Sequence, residues 1–398
     1  MPTETRAAVL EAPTDDHDFA ESRPVSVETV EVADPEGEEV LVEIRATSLC
    51  HTDVGFALGH FDVPYPLVLG HEGAGVVREV GDGVHDLEPG DHVVLGRIAC
   101  GRCRQCHEGH SQLCERRVPA NETGRLRNGT VPFERDGEPV HHCLGVSSFT
   151  EQTLVTEDVA VRITDELPFD RACLLGCGVF TGFGAVESTA DVELGSSVVI
   201  FGAGGVGLNG IQAARIRDAS TVVAVDLVDE KLELARELGA THTVNPNDVE
   251  DVVERVRELC PGGADYAFEM TGHEAVITQA VDAVGARGEA IVVGVPPHGH
   301  RSVDLDVYGM LFGEKSIRGS LSGSYNLPVA IPKLADLAVD GRLSPSVGSV
   351  IRASSTISGH FVVGGWTPWS SIRFAASAAS CSPALATNSW WNGPNGTS

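Results

Sequence analysis

Two rhythms of apolar and polar positions divide the chain. Up to about residue 180, short stretches such as VLVEIRATS, GAGVVREVG, GDHVVLG and FTEQTLVTEDVAVRI alternate apolar with polar residues or run apolar, and Gly, Pro and Asp interrupt them. A two-residue period sends successive side chains to opposite faces, so this part predicts strands and turns in a small β-barrel with irregular loops. From about residue 190 strand-like and helix-like stretches alternate. SSVVIFGAG and TVVAVDL read as strands, each followed by a helix, the second being DEKLELARELGA. VEDVVERVRELC sets Val249, Val252, Val253, Val256 and Leu259 on one helical face. ADYAFEMTG and EAIVVGV add strands around the helix HEAVITQAVDAVGARG. Such alternation predicts an α/β, doubly wound parallel sheet of the Rossmann kind.

Length and charge narrow the function. At 398 residues the chain exceeds one ordinary core, so two domains are expected. No apolar run approaches the ~18 residues that span a bilayer, and the acidic N-terminus lacks a secretory signature. The reading is a soluble, cytoplasmic protein without a membrane partner. A net charge of -29 repels polyphosphate backbones and excludes nucleic acid as a partner. Only three of the 28 basic residues are lysines, Lys231, Lys315 and Lys333. Excess carboxylate with scarce lysine points to a halophilic cytoplasm, where salt shortens self-repulsion.

The cysteines cluster. Cys100, Cys103, Cys106 and Cys114 stand at C-x2-C-x2-C-x7-C. A disulfide framework suits a short secreted domain, and a redox couple needs only two thiols. Four thiols meet the ligand count of tetrahedral zinc, so the loop reads as a structural metal cage. A second, dispersed set lies in CHTD, GHE and LLGCG: Cys50, His71 and Cys177 supply two thiolates and an imidazole, leaving one position of a zinc ion open. FGAGGVG carries Gly202, Gly204, Gly205, Val206 and Gly207 between a strand and a helix, where glycines let the backbone approach a pyrophosphate. Asp226 ends the next strand; its carboxylate suits ribose hydroxyls and repels a 2′-phosphate, favouring NAD over NADP.

With GHEGAGVV, the cysteine loop, LGCGVFTGFGA, FGAGGVG, VDLVDEKLELARELGAT and IPKLADLAVDGRL in order, the chain resembles the zinc-dependent medium-chain alcohol dehydrogenases from about residue 6 to 340. It is most similar to the class that oxidises the glutathione adduct of formaldehyde. The resemblance implies a GroES-like catalytic domain beside the Rossmann domain. It implies hydride transfer from a zinc-bound primary alcohol to NAD, giving the aldehyde reversibly, with a catalytic and a structural zinc in each subunit of a homodimer or homotetramer. Cys50, His71 and Cys177 would hold the catalytic zinc, with Glu72 close by and Asp53 hydrogen-bonded to His71. Thr52 would touch the alcohol. Thr181 and Val206 would flank the nicotinamide, Lys231 the adenosine ribose and His51 the pyrophosphate. The domains implied are 1–180 catalytic, 181–324 NAD-binding, 325–346 returning to the catalytic domain and 347–398 an anomalous tail.

Three features depart from the family pattern. Gly55 and Phe56 stand where many relatives carry a relay histidine, which leaves the proton's exit to His51 or solvent. Arg116 and Arg117 follow the fourth cage cysteine, near where the thiol-adduct enzymes carry an arginine for the glutathione carboxylate. Residues 341–398 contain no Asp, Glu or Lys and hold all four tryptophans, Trp366, Trp369, Trp390 and Trp391. This composition predicts a reading frame shifted after Ser346 and an ending that does not complete the first domain. The rival substrates are S-(hydroxymethyl)glutathione, aryl alcohols and polyols. The rival from another class is a non-catalytic protein that binds zinc and NAD.

Overall fold

The computed structural model describes residues 3–296, 302–345, 349–352 and 362–364. Strands Thr3–Leu10, Val25–Val32, Phe133–Arg135, Glu138–His142 and Leu67–Val68 close into a barrel. A seven-stranded sheet is built around Glu39–Leu49, which pairs with Gly73–Val80 on one edge and with Gln152–Thr156 and then Ser349–Arg352 on the other. Flanked on both sides, this strand is buried along most of its length, which is why VLVEIRATS reads as a near-continuous apolar run.

One expectation is corrected here. Part of the tail does join the first domain: Ser349 to Arg352 pair antiparallel with Leu49 to Ala46, and Val362–Gly364 adds a further strand. SVIR and FVVG are β-rich, and the unpaired edge of a central strand accepts such a segment through its backbone. The expected frame shift otherwise concerns residues outside those described, the tryptophans included.

Strands His242–Val244, Thr221–Val225, Ser197–Phe201, Ala264–Glu269, Val284–Val292 and Ser316–Gly319 follow in that order across a parallel sheet. The connections reverse direction between Ser197–Phe201 and Ala264–Glu269, the place where such sheets open a crevice for ligands. Helix Val252–Leu259 starts at Asp251, whose side chain accepts the Glu254 N–H at 3.0 Å, and it buries Val252 and Val256 as the pattern predicts, while Val249, expected on the same helical face, lies before the helix in extended backbone. The next helix, Glu274–Ala283, is shorter than HEAVITQAVDAVGARG suggests. Val284 takes an extended conformation and VGARG enters the following strand, as suits glycine-rich sequence at a helix end. One apolar cluster runs from Ala46, Ala74 and Val94 through Phe180, Phe183, Leu327 and Ile331 to Ile200 and Phe268, so the two sheets share packed helices.

The barrel also encloses a titratable group. His142 is buried, stacks on Phe133 at 5.7 Å and has its Nε2 3.4 Å from the Thr153 hydroxyl. Burial pushes its pKa down to about 3. A group whose folded pKa is depressed contributes stability that is fully present above its unfolded pKa, near 6.5, and is lost as pH falls toward the folded value. His142 is therefore expected to account for about 2 kcal/mol of the stability lost between pH 7 and pH 5. Denaturant titrations of the wild type and of His142→Leu at both pH values check this; an equal pH dependence in the two proteins would refute it.

Candidate active site

Strand Glu39–Leu49 runs directly into Cys50, the cap of helix His51–Ala57. Asp53, in the first turn of that helix, does two jobs. Its Oδ2 accepts the Cys50 N–H at 3.0 Å and its Oδ1 accepts His71 Nδ1–H at 3.0 Å, with Asp53 and His71 both buried. Sheet register brings His71 and Glu72 there, because Gly73 lies opposite Thr47 on one side and Leu95 on the other. The Ser48 N–H and the Thr47 hydroxyl donate to the Glu72 carbonyl at 3.0 and 2.7 Å, and the Ser48 hydroxyl donates to the Glu72 carboxylate. Cys177 enters from the first turn of helix Gly178–Gly184. One donor atom from each of Cys50, His71, Glu72 and Cys177 lies within 4.8 Å of the others. The Cys50 thiol points at the Thr52 hydroxyl, 3.7 Å away.

This donor set suits a cation. His71 Nε2 is buried without a hydrogen-bond partner, while Asp53 fixes the tautomer through the other nitrogen. Cys177 and burial push the Cys50 thiol up, and burial pushes the Glu72 carboxyl up. For His71, burial opposes the proton and Asp53 overcomes it. So many potential anions crowded together ionise jointly only when a positive charge lies among them. Two sulfurs, an imidazole and a carboxylate form a set that zinc accepts.

Cys100, Cys103, Cys106 and Cys114 form the second cluster, also with sulfurs within 4.8 Å of one another, and no disulfide links them. Backbone N–H groups aim at the sulfurs: Cys100 N–H donates to Cys114 Sγ at 3.4 Å, and those of Glu115 and Cys106 help pull the Cys103 pKa down to about 6. Burial pushes Cys106 and Cys114 up. Thiolates supported by amides in a closed loop are the chemistry of a structural zinc site.

The glycine turn FGAGGVG joins strand Ser197–Phe201 to helix Gly205–Ile216. A Cβ on Gly207 would stand 1.8 Å from the Gly202 carbonyl oxygen, so no larger residue fits this turn. At Gly182 a Cβ would stand 1.9 Å from the Val206 carbonyl oxygen, so helix Gly178–Gly184, which carries Thr181, packs directly on the turn. Asp226 is buried at the end of the next strand; its oxygens accept the Ala203 N–H at 2.8 Å and the Val228 N–H at 3.0 Å, and Lys231 Nζ lies 3.6 Å away. His51 is exposed, and desolvation by the surrounding protein, then the Lys231 charge, lower its pKa. The candidate residues thus gather at three places: the mixed-donor cluster, the cysteine loop and the glycine turn.

Family comparisons agree with this layout. The model for an alcohol dehydrogenase GroES-like domain matches residues 36–165, and that for a zinc-binding dehydrogenase matches 205–339. The chain is 38% identical over 351 residues to an S-(hydroxymethyl)glutathione dehydrogenase of Paracoccus denitrificans, covering 85% of this chain and 90% of that protein. The chain belongs to the zinc-dependent alcohol dehydrogenases. Among solved structures, it is similar to an alcohol dehydrogenase zinc-binding domain protein from Burkholderia ambifaria, with TM-score 0.82 and 42% identity over 87% of this chain and 91% of that one. It is also similar to a benzyl alcohol dehydrogenase from Acinetobacter calcoaceticus, with TM-score 0.80 and 36% identity over 86% and 91%. As an alcohol dehydrogenase it is an oxidoreductase.

Two residues at the dehydrogenase site escaped the sequence reading. Glu269 ends strand Ala264–Glu269 at the reversal point; one oxygen accepts the Thr271 N–H, the Thr271 hydroxyl and the Gly272 N–H at 2.6, 2.5 and 2.8 Å, and the other is buried without a partner. Burial pushes its carboxyl up. An acid at the end of an apolar strand, followed by Met-Thr-Gly, is its signal. Arg97 stands with Nη2 4.0 Å from Cys177 Sγ. At the Gly55 position, where a relay histidine was sought, the side chains of Phe61 and His60 occupy the neighbouring space.

Proposed function

We propose that this dehydrogenase oxidises primary alcohols to aldehydes with NAD, reversibly, at the mixed-donor cluster. Cys50, His71 and Cys177 would hold the catalytic zinc, with Glu72 in reach, and Cys100, Cys103, Cys106 and Cys114 the structural one. Bound zinc supplies a Lewis acid that eases loss of the alcohol proton near neutral pH. The Thr52 hydroxyl orients the substrate hydroxyl and takes its proton, and His51, open to water, carries it out. Asp53 keeps Nε2 of His71 free as a donor atom by holding Nδ1. The turn from Gly202 to Gly207, with Gly204 and Gly205 between them, receives the pyrophosphate on its backbone N–H groups. Thr181 and Val206 flank the nicotinamide, and Asp226 with Lys231 meets the adenosine ribose. The observation that carries this reading is the buried, unpartnered His71 Nε2 amid two thiols.

The test is zinc content together with NADH formation from ethanol, 1-hexanol, benzyl alcohol and S-(hydroxymethyl)glutathione. One zinc at each cluster and turnover of at least one alcohol are expected. Zinc and NAD binding without NADH from any of them would favour the non-catalytic reading.

The same reading includes a homodimer. Strand Ser316–Gly319 is an exposed sheet edge, and beside it Val307, Tyr308, Leu311 and Phe312 are each more than 70% exposed on one short helix. Apolar surface of this kind next to an unpaired edge suits a two-fold copy of itself. Phe312→Glu is expected to convert the dimer to monomer in sedimentation velocity; an unchanged sedimentation coefficient would refute this interface. No single helix among the described residues is long and apolar enough to cross a membrane. A cytoplasmic, high-salt setting is the reading that the charge supports.

A further inference from the structure

One acid in the sheet crevice has no counter-charge. Glu269 is fully buried at the carboxyl end of strand Ala264–Glu269, and among the described residues only neutral donors meet its side chain. A carboxyl group buried without a cation costs stability, and an apolar side chain would pack there at lower cost. What it does instead is gather loops. Its side chain takes the Thr271 and Gly272 hydrogens, and its main-chain carbonyl accepts the Val293 and Gly294 N–H groups at 2.8 and 3.0 Å. The two loops leave no slack: a Cβ on Gly294 would stand 2.0 Å from the Gly272 nitrogen and 2.8 Å from Glu269 Oε2. Thr271 in turn presses on the glycine turn, where a Cβ on Gly202 would stand 2.8 Å from the threonine methyl. Beside it the Met270 N–H donates to the Phe201 carbonyl at 3.0 Å. The ends of three neighbouring strands, Ser197–Phe201, Ala264–Glu269 and Val284–Val292, therefore meet on Glu269.

We propose that Glu269 is a positioning residue for the dinucleotide: its side chain sets the Thr271–Gly272 loop against the glycine turn and so shapes the crevice that receives the cofactor. This rests on the NAD reading above. Glu269 acts through the loops and not by contact, because its free oxygen, Oε2, is buried and faces Gly294. Three donors converge on the other oxygen, and a charged acceptor holds them about twice as strongly as a neutral one. The acid is kept for the precision of the loop, at a cost in stability that an apolar residue would avoid. The Thr271 hydroxyl is the tie that can be removed alone, since valine keeps the methyl that meets Gly202.

The test is NADH binding, followed by fluorescence, to wild type, Glu269→Gln, Glu269→Ala, Thr271→Val and the double variant Glu269→Ala with Thr271→Val. Zinc content and the nucleotide-free thermal midpoint are measured on each. The Kd for NADH is expected to rise at least about tenfold in Glu269→Ala, and about threefold in both Glu269→Gln, which keeps the acceptor without the charge, and Thr271→Val. The double variant is expected to bind no more weakly than Glu269→Ala, because the hydroxyl acts through the carboxylate. The KM for NAD is expected to rise in the same order, while kcat at saturating NAD stays within about threefold and both zinc ions are retained. Wild-type affinity in Glu269→Gln and Thr271→Val overturns the proposal, and these two variants decide it even where Glu269→Ala folds poorly. Additive losses in the double variant also overturn it. If the wild type binds no NADH, the nucleotide reading falls and takes the proposal with it, whereas equal binding by wild type and variants fells the proposal alone.

Discussion

Cys177→Ser is expected to lower kcat/KM for any alcohol substrate by at least about a thousandfold and to remove one zinc per chain while leaving the other. Cys177 is buried at the start of helix Gly178–Gly184, and its sulfur belongs to the four-donor cluster. A serine oxygen is a harder, far less acidic ligand than a thiolate, so the substitution weakens the metal's grip and the charge balance of the site together. The side chains are close in size, so the thermal midpoint is expected to move little in the metal-free protein. Metal analysis and NADH formation on the same sample check the result. Full turnover, or retention of zinc at both clusters, would remove the basis for placing the chemistry here.

Asp226→Ser is expected to reduce kcat/KM for NAD about a hundredfold and to shift the NADP-to-NAD preference by more than that. The Asp226 carboxylate is held in place by the Ala203 and Val228 N–H groups, with Lys231 3.6 Å away. On the proposed reading, removing it deletes an acceptor for the ribose hydroxyls and the repulsion that a 2′-phosphate would meet. Lys231 then loses its counter-charge and becomes available to that phosphate. Kinetics with both nucleotides separate this from a structural role: a lower midpoint with an unchanged preference would show that Asp226 only braces the glycine turn.

Much of this arrangement can be read in the sequence because its parts are local. The cysteine loop brings its four sulfurs together within fifteen residues, and the glycine turn needs only the strand and helix on either side. The alternation after residue 190 predicts the parallel sheet because both faces of each strand are covered and its runs are nearly all apolar. The mixed-donor cluster is different: Cys50, His71 and Cys177 meet through sheet register and through helix packing, which no short window encodes, so the sequence offers their ligand chemistry but not their meeting, and the resemblance adds their roles. Arg97 and Glu269 were missed for the same reason. Each looks like an ordinary charged residue beside a strand, and only the folded chain shows one against Cys177 Sγ and the other with a carboxylate oxygen buried and unpartnered. The helix ending at Ala283 was overextended because AVGARG continues an apolar spacing that the glycines then interrupt.

The close seat of Gly182 on the Val206 carbonyl has a consequence for building hybrids. One short helix carries the proposed zinc ligand Cys177 at its start and, a turn later, touches the glycine turn proposed to receive the cofactor. Exchange of nucleotide modules between relatives should therefore succeed with a splice before Cys177 or beyond Gly207, where this unit travels whole, and fail with a splice inside it.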